Sequence, residues 1–244
     1  MVEKVNVICM KWGTLYGPEY VNRLHSMVKR NLTIPHRFVC FTDNSEGFNE
    51  GIEVFPIPHL PLPESHKNLP WRKIGLFSPT LGDLKGQTLF LDLDLVIVDN
   101  IDCFFAYEGD FCIIHNWTHP DRIVGNSSVY RFEVGADSYV YDTICNDMEG
   151  QLAKYRNSQT FLSHTVKKLT YWPDHWCKSF KKHCVPKGVL RYIKTPEIPK
   201  GAKIVVFHGD PNPDAALVGK WPGFGFCGLH KKVRPTKWIA QYWK

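Results

Sequence analysis

The chain has 244 residues, 43% of them apolar and 22% charged, with a formal net charge of +6 and a pI near 8.8. That suffices for one sizeable core, in one domain or two small ones, and the mild basic excess favours anionic partners such as phosphates or acidic membrane surfaces. No run of five or six like charges marks a nucleic-acid arm, no internal repeat or low-complexity tract is present, and nothing approaches the ~18 apolar residues of a membrane span.

Val5 to Met10 (VNVICM) is a short apolar run suited to a first strand, and Lys11 to Gly17 (KWGTLYG) supplies turn glycines. Pro18 opens a helix, a position where its missing N–H costs nothing, and Tyr20, Val21, Leu24, Met27 and Val28 recur at helical spacing. Arg37 to Phe41 and Ile52 to Phe55 read as the next strands. This strand–helix–strand order predicts a parallel sheet with crossover helices. Pro56 to Pro70 carries five prolines and reads as a surface loop. Trp71 to Phe77 is predicted helical, then comes the run TLFLDLDLVIVDN from Thr88 to Asn100. Beyond it, Phe111 to His115 and Ser127 to Phe132 are predicted strands. Asp137 to Asn146 and Ser158 to Leu169 are predicted helices, and Lys203 to Phe207 is a late strand running into HGDPNPD.

The run from Thr88 poses the main chemical question, because Asp92 and Asp94 interrupt an apolar strand. A buried carboxylate is costly unless its charge is compensated. In an extended chain residues two apart share a face, so the two aspartates are expected to project together, with Leu91, Leu93 and Leu95 anchoring the other side. Ligands of open α/β sheets bind outside the carboxyl ends of strands, and a divalent cation is an economical partner for adjacent carboxylates. The bland reading is a strand end whose aspartates are solvated.

The surrounding segments sharpen this choice. The apolar strand ending in LDLD, followed by VIVDNIDCFF, resembles the retaining glycosyltransferases of family 8 and their GT-A relatives. VICMKWGTLYGPEYVNRLHSMVKRN resembles their first strand, nucleotide-binding turn and first helix. WRKIGLF, GNSSVYRFE, NSQTFLSHTV and VVFHGDPNP resemble, in order, a helix bearing a basic residue near the nucleotide, the "NSG" strand, the "DQ" helix and the late histidine–glycine motif. The resemblance spans about residues 4 to 215. It implies one α/β GT-A domain with a mostly parallel central sheet over residues 1–230, followed by a basic and aromatic tail over 231–244.

The implied activity is metal-dependent transfer of a hexosyl group from a nucleotide-diphosphate sugar, most simply a UDP-sugar, with retention, to a glycan, lipid-linked or protein acceptor. The resemblance implies Asp92, Asp94 and His208 as ligands of Mn²⁺ or Mg²⁺, the mixed oxygen and imidazole set favouring Mn²⁺, with Gln159 as a further catalytic residue. The donor-binding set it implies is Lys11, Trp12, Gly13, Tyr16, Asp43, Arg72, Lys73, Leu93, Asn126, Ser127 and Gly209. Arg72 and Lys73 lie on one short helix, so at most one should face the phosphates. His208 also has a bland reading, a turn histidine bonded to backbone.

Three positions depart from the family pattern: Ser128 replaces a glycine, Ser158 an aspartate, and Asn212 a lysine that usually meets the diphosphate, leaving Lys220 as one candidate cation. Two rivals remain. DLDLV also satisfies the first motif of haloacid dehalogenase-type phosphatases, with Asp92 as nucleophile and Asp94 as acid and base, although about 85 residues precede it where that motif normally opens the domain. A non-catalytic nucleotide-sugar-binding domain would tolerate the three substitutions.

No cysteine pair has CxxC spacing, several cysteines sit in apolar runs, and the first residues lack a signal-peptide core. The expectation is therefore a reduced, cytoplasmic protein. His175, Cys177, His183 and Cys184 match no usual zinc spacing. In the tail, Trp238 with Tyr242, or Ile239 with Trp243, would form one helical stripe flanked by Lys231, Lys232, Arg234, Lys237 and Lys244. It suits either peripheral docking on the inner face of an anionic membrane or packing on the domain.

Overall fold

A computed structural model describes residues 4–118, 121–222 and 231–244. The chain forms two compact units. The first comprises residues 1–22, 34–93 and 103–172; the second comprises 23–33, 94–102 and 173–244.

The first unit is built on a seven-stranded sheet of order β3-β2-β1-β4-β7-β6-β8. Its strands are β1 (Val5–Lys11), β2 (His36–Thr42), β3 (Glu53–Phe55), β4 (Gln87–Leu91), β6 (Phe111–His115), β7 (Gly125–Glu133) and β8 (Leu169–Tyr171). Only β7 runs against the others, pairing antiparallel with both β4 and β6. Fully buried strands read as continuous apolar runs, and β1, β2 and β6 do so. The helices are α2 (Cys103–Ala106), α3 (Ser138–Asn146), α4 (Met148–Lys154), α5 (Ser158–Thr165) and the first residues of α1 (Pro18–Asn31). Phe77, Phe90, Phe111, Tyr130 and Phe132 stack through the centre of the core at ring separations of 4.7–5.9 Å.

The second unit carries a three-stranded sheet of order β5-β10-β9, from β5 (Leu95–Ile97), β9 (Cys177–Ser179) and β10 (Ile204–Val206). With it fold the rest of α1, α6 (Pro213–Leu217) and α7 (Trp238–Tyr242). Of the expected tail stripe, Ile239 and Trp243 are buried. The Arg23 guanidinium lies 4.0 Å from the centre of the Trp243 ring, and Arg30 donates to the carbonyls of Tyr242 and Lys244. Trp238 Nε1 donates to the Pro196 carbonyl at 3.0 Å. The tail thus packs on its own unit, the second of the two readings. Among the described residues no helix is long and apolar enough to cross a membrane.

Three element expectations need correction. The run from Thr88 is not one strand: β4 ends at Leu91, β5 begins at Leu95, and the two lie in different sheets. The two-residue period therefore does not carry through Asp92–Asp94, and the shared face it implied has no strand beneath it. The segment Pro70–Phe77 is a 3₁₀ rather than an α-helix, with six of its eight residues buried. The helix expected over 158–169 ends at Thr165, because Leu169–Tyr171 is claimed by parallel pairing with β6.

Candidate active site

At the carboxyl ends of β1 and β2, in parallel register from Val5↔His36 to Lys11↔Thr42, several expected residues meet. Asp43 accepts from the Gly13 backbone N–H at 3.0 Å. Gly13 has φ +59°, a left-handed conformation that glycine adopts without strain, so the turn after β1 depends on it. The Lys11 side chain is buried and its Nζ reaches the Asn44 carbonyl at 3.5 Å. Trp12 Nε1 donates to the Asn68 carbonyl at 3.4 Å. Tyr16 packs on Tyr20, with centroids 4.7 Å apart.

One strand further along the same edge, Asp92 follows β4. Its carboxylate pairs with Lys73 Nζ at 2.5 Å, with side-chain exposures of 19% and 11%. Lys73 also lies 5.1 Å from the centre of the Phe90 ring. The costly carboxylate therefore has an ammonium as its countercharge. Arg72, on the same 3₁₀ turn, instead donates to the Lys67 carbonyl, so only Lys73 is directed to the motif.

The Asp92 N–H donates to the Ser128 carbonyl at 2.9 Å, and the Ser128 N–H donates to Asn126 Oδ1 at 3.1 Å. The NSS strand is thereby tied to the first aspartate. Asn126 and Ser127 are both buried there. Gly125, at the start of β7, donates to Ser163 Oγ of α5 at 2.8 Å. Gln159 sits in the first turn of α5, whose Asn157 cap accepts from the Thr160 N–H at 2.9 Å, and it lines a cavity of about 610 Å³. Leu93 is buried between the aspartates in the chain.

The second unit gathers Asp94, His208 and Gly209. Strand β10 pairs antiparallel with β5 from Ile204↔Ile97 to Val206↔Leu95, and Phe207 N–H extends the ladder to the Asp94 carbonyl at 2.8 Å. His208 Nε2 lies 2.7 Å from Ser179 Oγ, and Lys181 Nζ donates to the His208 carbonyl at 2.5 Å. Gly209 turns the chain at φ +70°. Burial, with Lys181, Lys182 and His183 adding to it, pushes the His208 imidazole down to about 4, so the ring is neutral near pH 7. Burial also lowers the Lys181 ammonium, against the pull of Asp210 and Asp94.

Neither Ser179 nor Lys181 belongs to a motif that marks it in the sequence. Lys181 thus stands at the histidine–glycine turn, while Lys220 is exposed. His183 Nδ1 accepts from the Ser179 N–H at 3.0 Å, and Cys177 and Cys184 are buried free thiols. Among the described residues no group of three or more His, Cys, Asp or Glu stands together to hold a metal ion.

No family model matches the chain, and no curated protein matches it by sequence. Solved structures do. A galactosyltransferase, LgtC, in complex with donor and acceptor sugar analogues superposes with a TM-score of 0.57 at 12% identity, over 85% of this chain and 88% of that one. GlyE of Streptococcus pneumoniae TIGR4, a glycosyltransferase, matches with a TM-score of 0.58 at 10% identity, over 86% of this chain and 56% of its own. The bifunctional glycosyltransferase WbbM matches with 0.57 at 12%, over 86% and 46%. The fold is therefore the α/β GT-A fold of these glycosyltransferases, and the phosphatase reading loses the fold it required.

Proposed function

We propose that the chain is a glycosyltransferase that transfers a hexosyl group from a nucleotide-diphosphate sugar, most simply a UDP-sugar, with retention. The observation that carries this reading is the carboxyl edge of the seven-stranded sheet. There Lys11, Gly13 and Asp43 close one turn, and Lys73, Asp92 and the Asn126–Ser128 segment close the next. Ligands of open α/β sheets lie at this edge, and the glycosyltransferase fold agrees with it.

In this reading the turn after β1 and Asp43 hold the base and ribose, with Trp12 beside them. Lys73 holds the Asp92 carboxylate fixed and brings positive charge to the diphosphate. Asn126, Ser127 and Gln159 contact the sugars. Bond breaking leaves growing negative charge on the diphosphate, and fixed cations stabilise it without reorganising. No nucleophile is assigned.

Metal dependence belongs to the same proposal. A divalent ion would supply Lewis-acid stabilisation of the leaving diphosphate. The residues suit Mn²⁺ in kind: Asp94 offers oxygen and His208 a neutral imidazole. Asp92, earlier in the same motif, would have to exchange Lys73 for the ion. The test is nucleotide release from a panel of UDP- and other nucleotide-sugars, with and without Mn²⁺. Release that rises with Mn²⁺ and is lost in Asp94→Ala supports the reading. Nucleotide binding without release would favour a non-catalytic binding domain.

A further inference from the structure

The 610 Å³ cavity beside Gln159 has a lining of one sign. Arg122, Arg156 and His164 border it together with Asn116, Gln159 and Thr160, and among the described lining residues there is no Asp or Glu. Both arginines are exposed and line the cavity, so neither is taken up by the core. The cavity also takes in Asn157 and Thr160, at the first turn of the eight-residue helix α5. Helix starts present N–H groups and partial positive charge to anions. Two guanidiniums and a helix start around one cavity are the elements of a phosphate or carboxylate receptor.

The donor's diphosphate does not account for this charge. In the proposed site the diphosphate lies by Lys73 and Asp92, after β4, whereas the cavity lies where β6 ends and β7 begins, and the strand order runs β1-β4-β7-β6. The cavity is thus one to two strand spacings beyond the diphosphate, roughly 5–10 Å at ~4.8 Å per step, and the diphosphate already has Lys73 as its cation. The cavity nevertheless opens at the same sheet edge, since β4 is parallel to β1, β7 antiparallel to β4, and β6 antiparallel to β7. A second anionic group, carried by the other substrate, fits that position.

We propose that this cavity receives an acceptor sugar bearing a negatively charged group, a phosphate or a carboxylate, held by Arg122 and Arg156 beside Gln159. The assignment of this ligand as the acceptor rests on the glycosyltransferase reading. The binding itself does not depend on turnover, so the two fail separately.

The test is binding of the full chain to an immobilised glycan panel in three forms: neutral, phosphorylated and uronate-bearing. Anionic glycans are expected to be retained at least about tenfold better than their neutral forms. Whichever anion wins identifies the charged group. Loss of one charge-assisted hydrogen bond weakens binding by about tenfold or more, tenfold being about 1.4 kcal/mol. The double variant Arg122→Gln/Arg156→Gln should therefore lose about tenfold or more. Lys154→Gln, an exposed cation on α4 outside the cavity, should change nothing. Equal binding of neutral and anionic forms, anionic preference surviving the double variant, or no binding to any glycan would overturn the proposal. Nucleoside-diphosphate binding by the same proteins is measured in parallel. An unchanged response in the double variant shows an intact donor site, and its absence in the wild type would count against the glycosyltransferase reading instead.

Discussion

Replacing Lys73 by Met removes the ammonium that faces Asp92 while keeping most of the stem that fills the space beneath β4. At 2.5 Å and an effective dielectric of about 20, the bare Coulomb attraction is about 7 kcal/mol. Desolvation of each ion takes back several kcal/mol. Exposed pairs are typically worth ~0–1 kcal/mol, while removing one partner of a fully buried pair costs ~3–5. Side-chain exposures of 11% and 19% place this pair between those limits, nearer the buried one. Lys73→Met should therefore destabilise the protein by about 2–3 kcal/mol, and a coupling of about 2 kcal/mol should appear in the cycle with Asp92→Asn. Equilibrium urea denaturation of the four proteins measures it. If the two single losses sum to the double-variant loss within ~0.5 kcal/mol, the pair does not couple and the charge argument for Asp92 fails.

Other consequences follow from the same physics. His208 is held neutral down to about pH 4 by burial, with Lys181, Lys182 and His183 adding to it, against an ordinary value near 6.5. Below 6.5 the unfolded chain takes up a proton that the folded chain refuses, so stability falls as pH drops from 6.5 toward 4. The loss is about 2 kcal/mol by pH 5 and about 3 when complete. His208→Gln should lack this component in denaturation curves taken across that window, and identical pH slopes in the two proteins would refute it. Arg131 is only 2% exposed and donates to the carbonyls of Phe104 and Gly109 at 2.5 and 2.6 Å. Arg131→Met strands both acceptors and should cost about 3–5 kcal/mol in thermal or urea unfolding, with Lys unable to restore the fork. Asp43→Ala frees the Gly13 N–H at an exposed turn. It should raise the donor KM several-fold with kcat nearly unchanged, the pattern of lost uniform binding; a fall in kcat alone would contradict its place in the nucleotide turn.

Much of the first unit is legible in the sequence because its strands are long apolar runs with turn residues at their ends, as in VNVICM and RFVCF. The meeting of Gly13 with Asp43 follows from adjacent parallel strands ending together. What misled was periodicity taken through a break: LDLD has the spacing of a strand, but pairing of Leu95–Ile97 with β10 draws the second half into another sheet. Similarly, apolar spacing continues past Thr165, yet Leu169–Tyr171 finds a partner strand in β6 that local propensity does not reveal. Charges were the hardest to read. A lysine looks the same in sequence whether it is exposed, like Lys220, or half-buried against the His208 turn, like Lys181. Arg122 and Arg156, 34 positions apart, come to line one cavity only once α5 folds against the start of β7. For Ser158, where the resembled family has an aspartate, no compensating residue stands among the described residues.

The proposed site takes a nucleotide-diphosphate sugar. A thermal-shift panel of nucleoside diphosphates and nucleotide sugars, each with and without Mn²⁺, tests it most directly, because a ligand that binds only the native state raises its apparent stability by mass action. At ligand concentrations a hundred times Kd the gain is about 2.7 kcal/mol, well above detection. A rise is expected with one nucleotide series, larger with Mn²⁺ and reduced in Asp94→Ala. No shift with any nucleotide, with or without the metal, would contradict it.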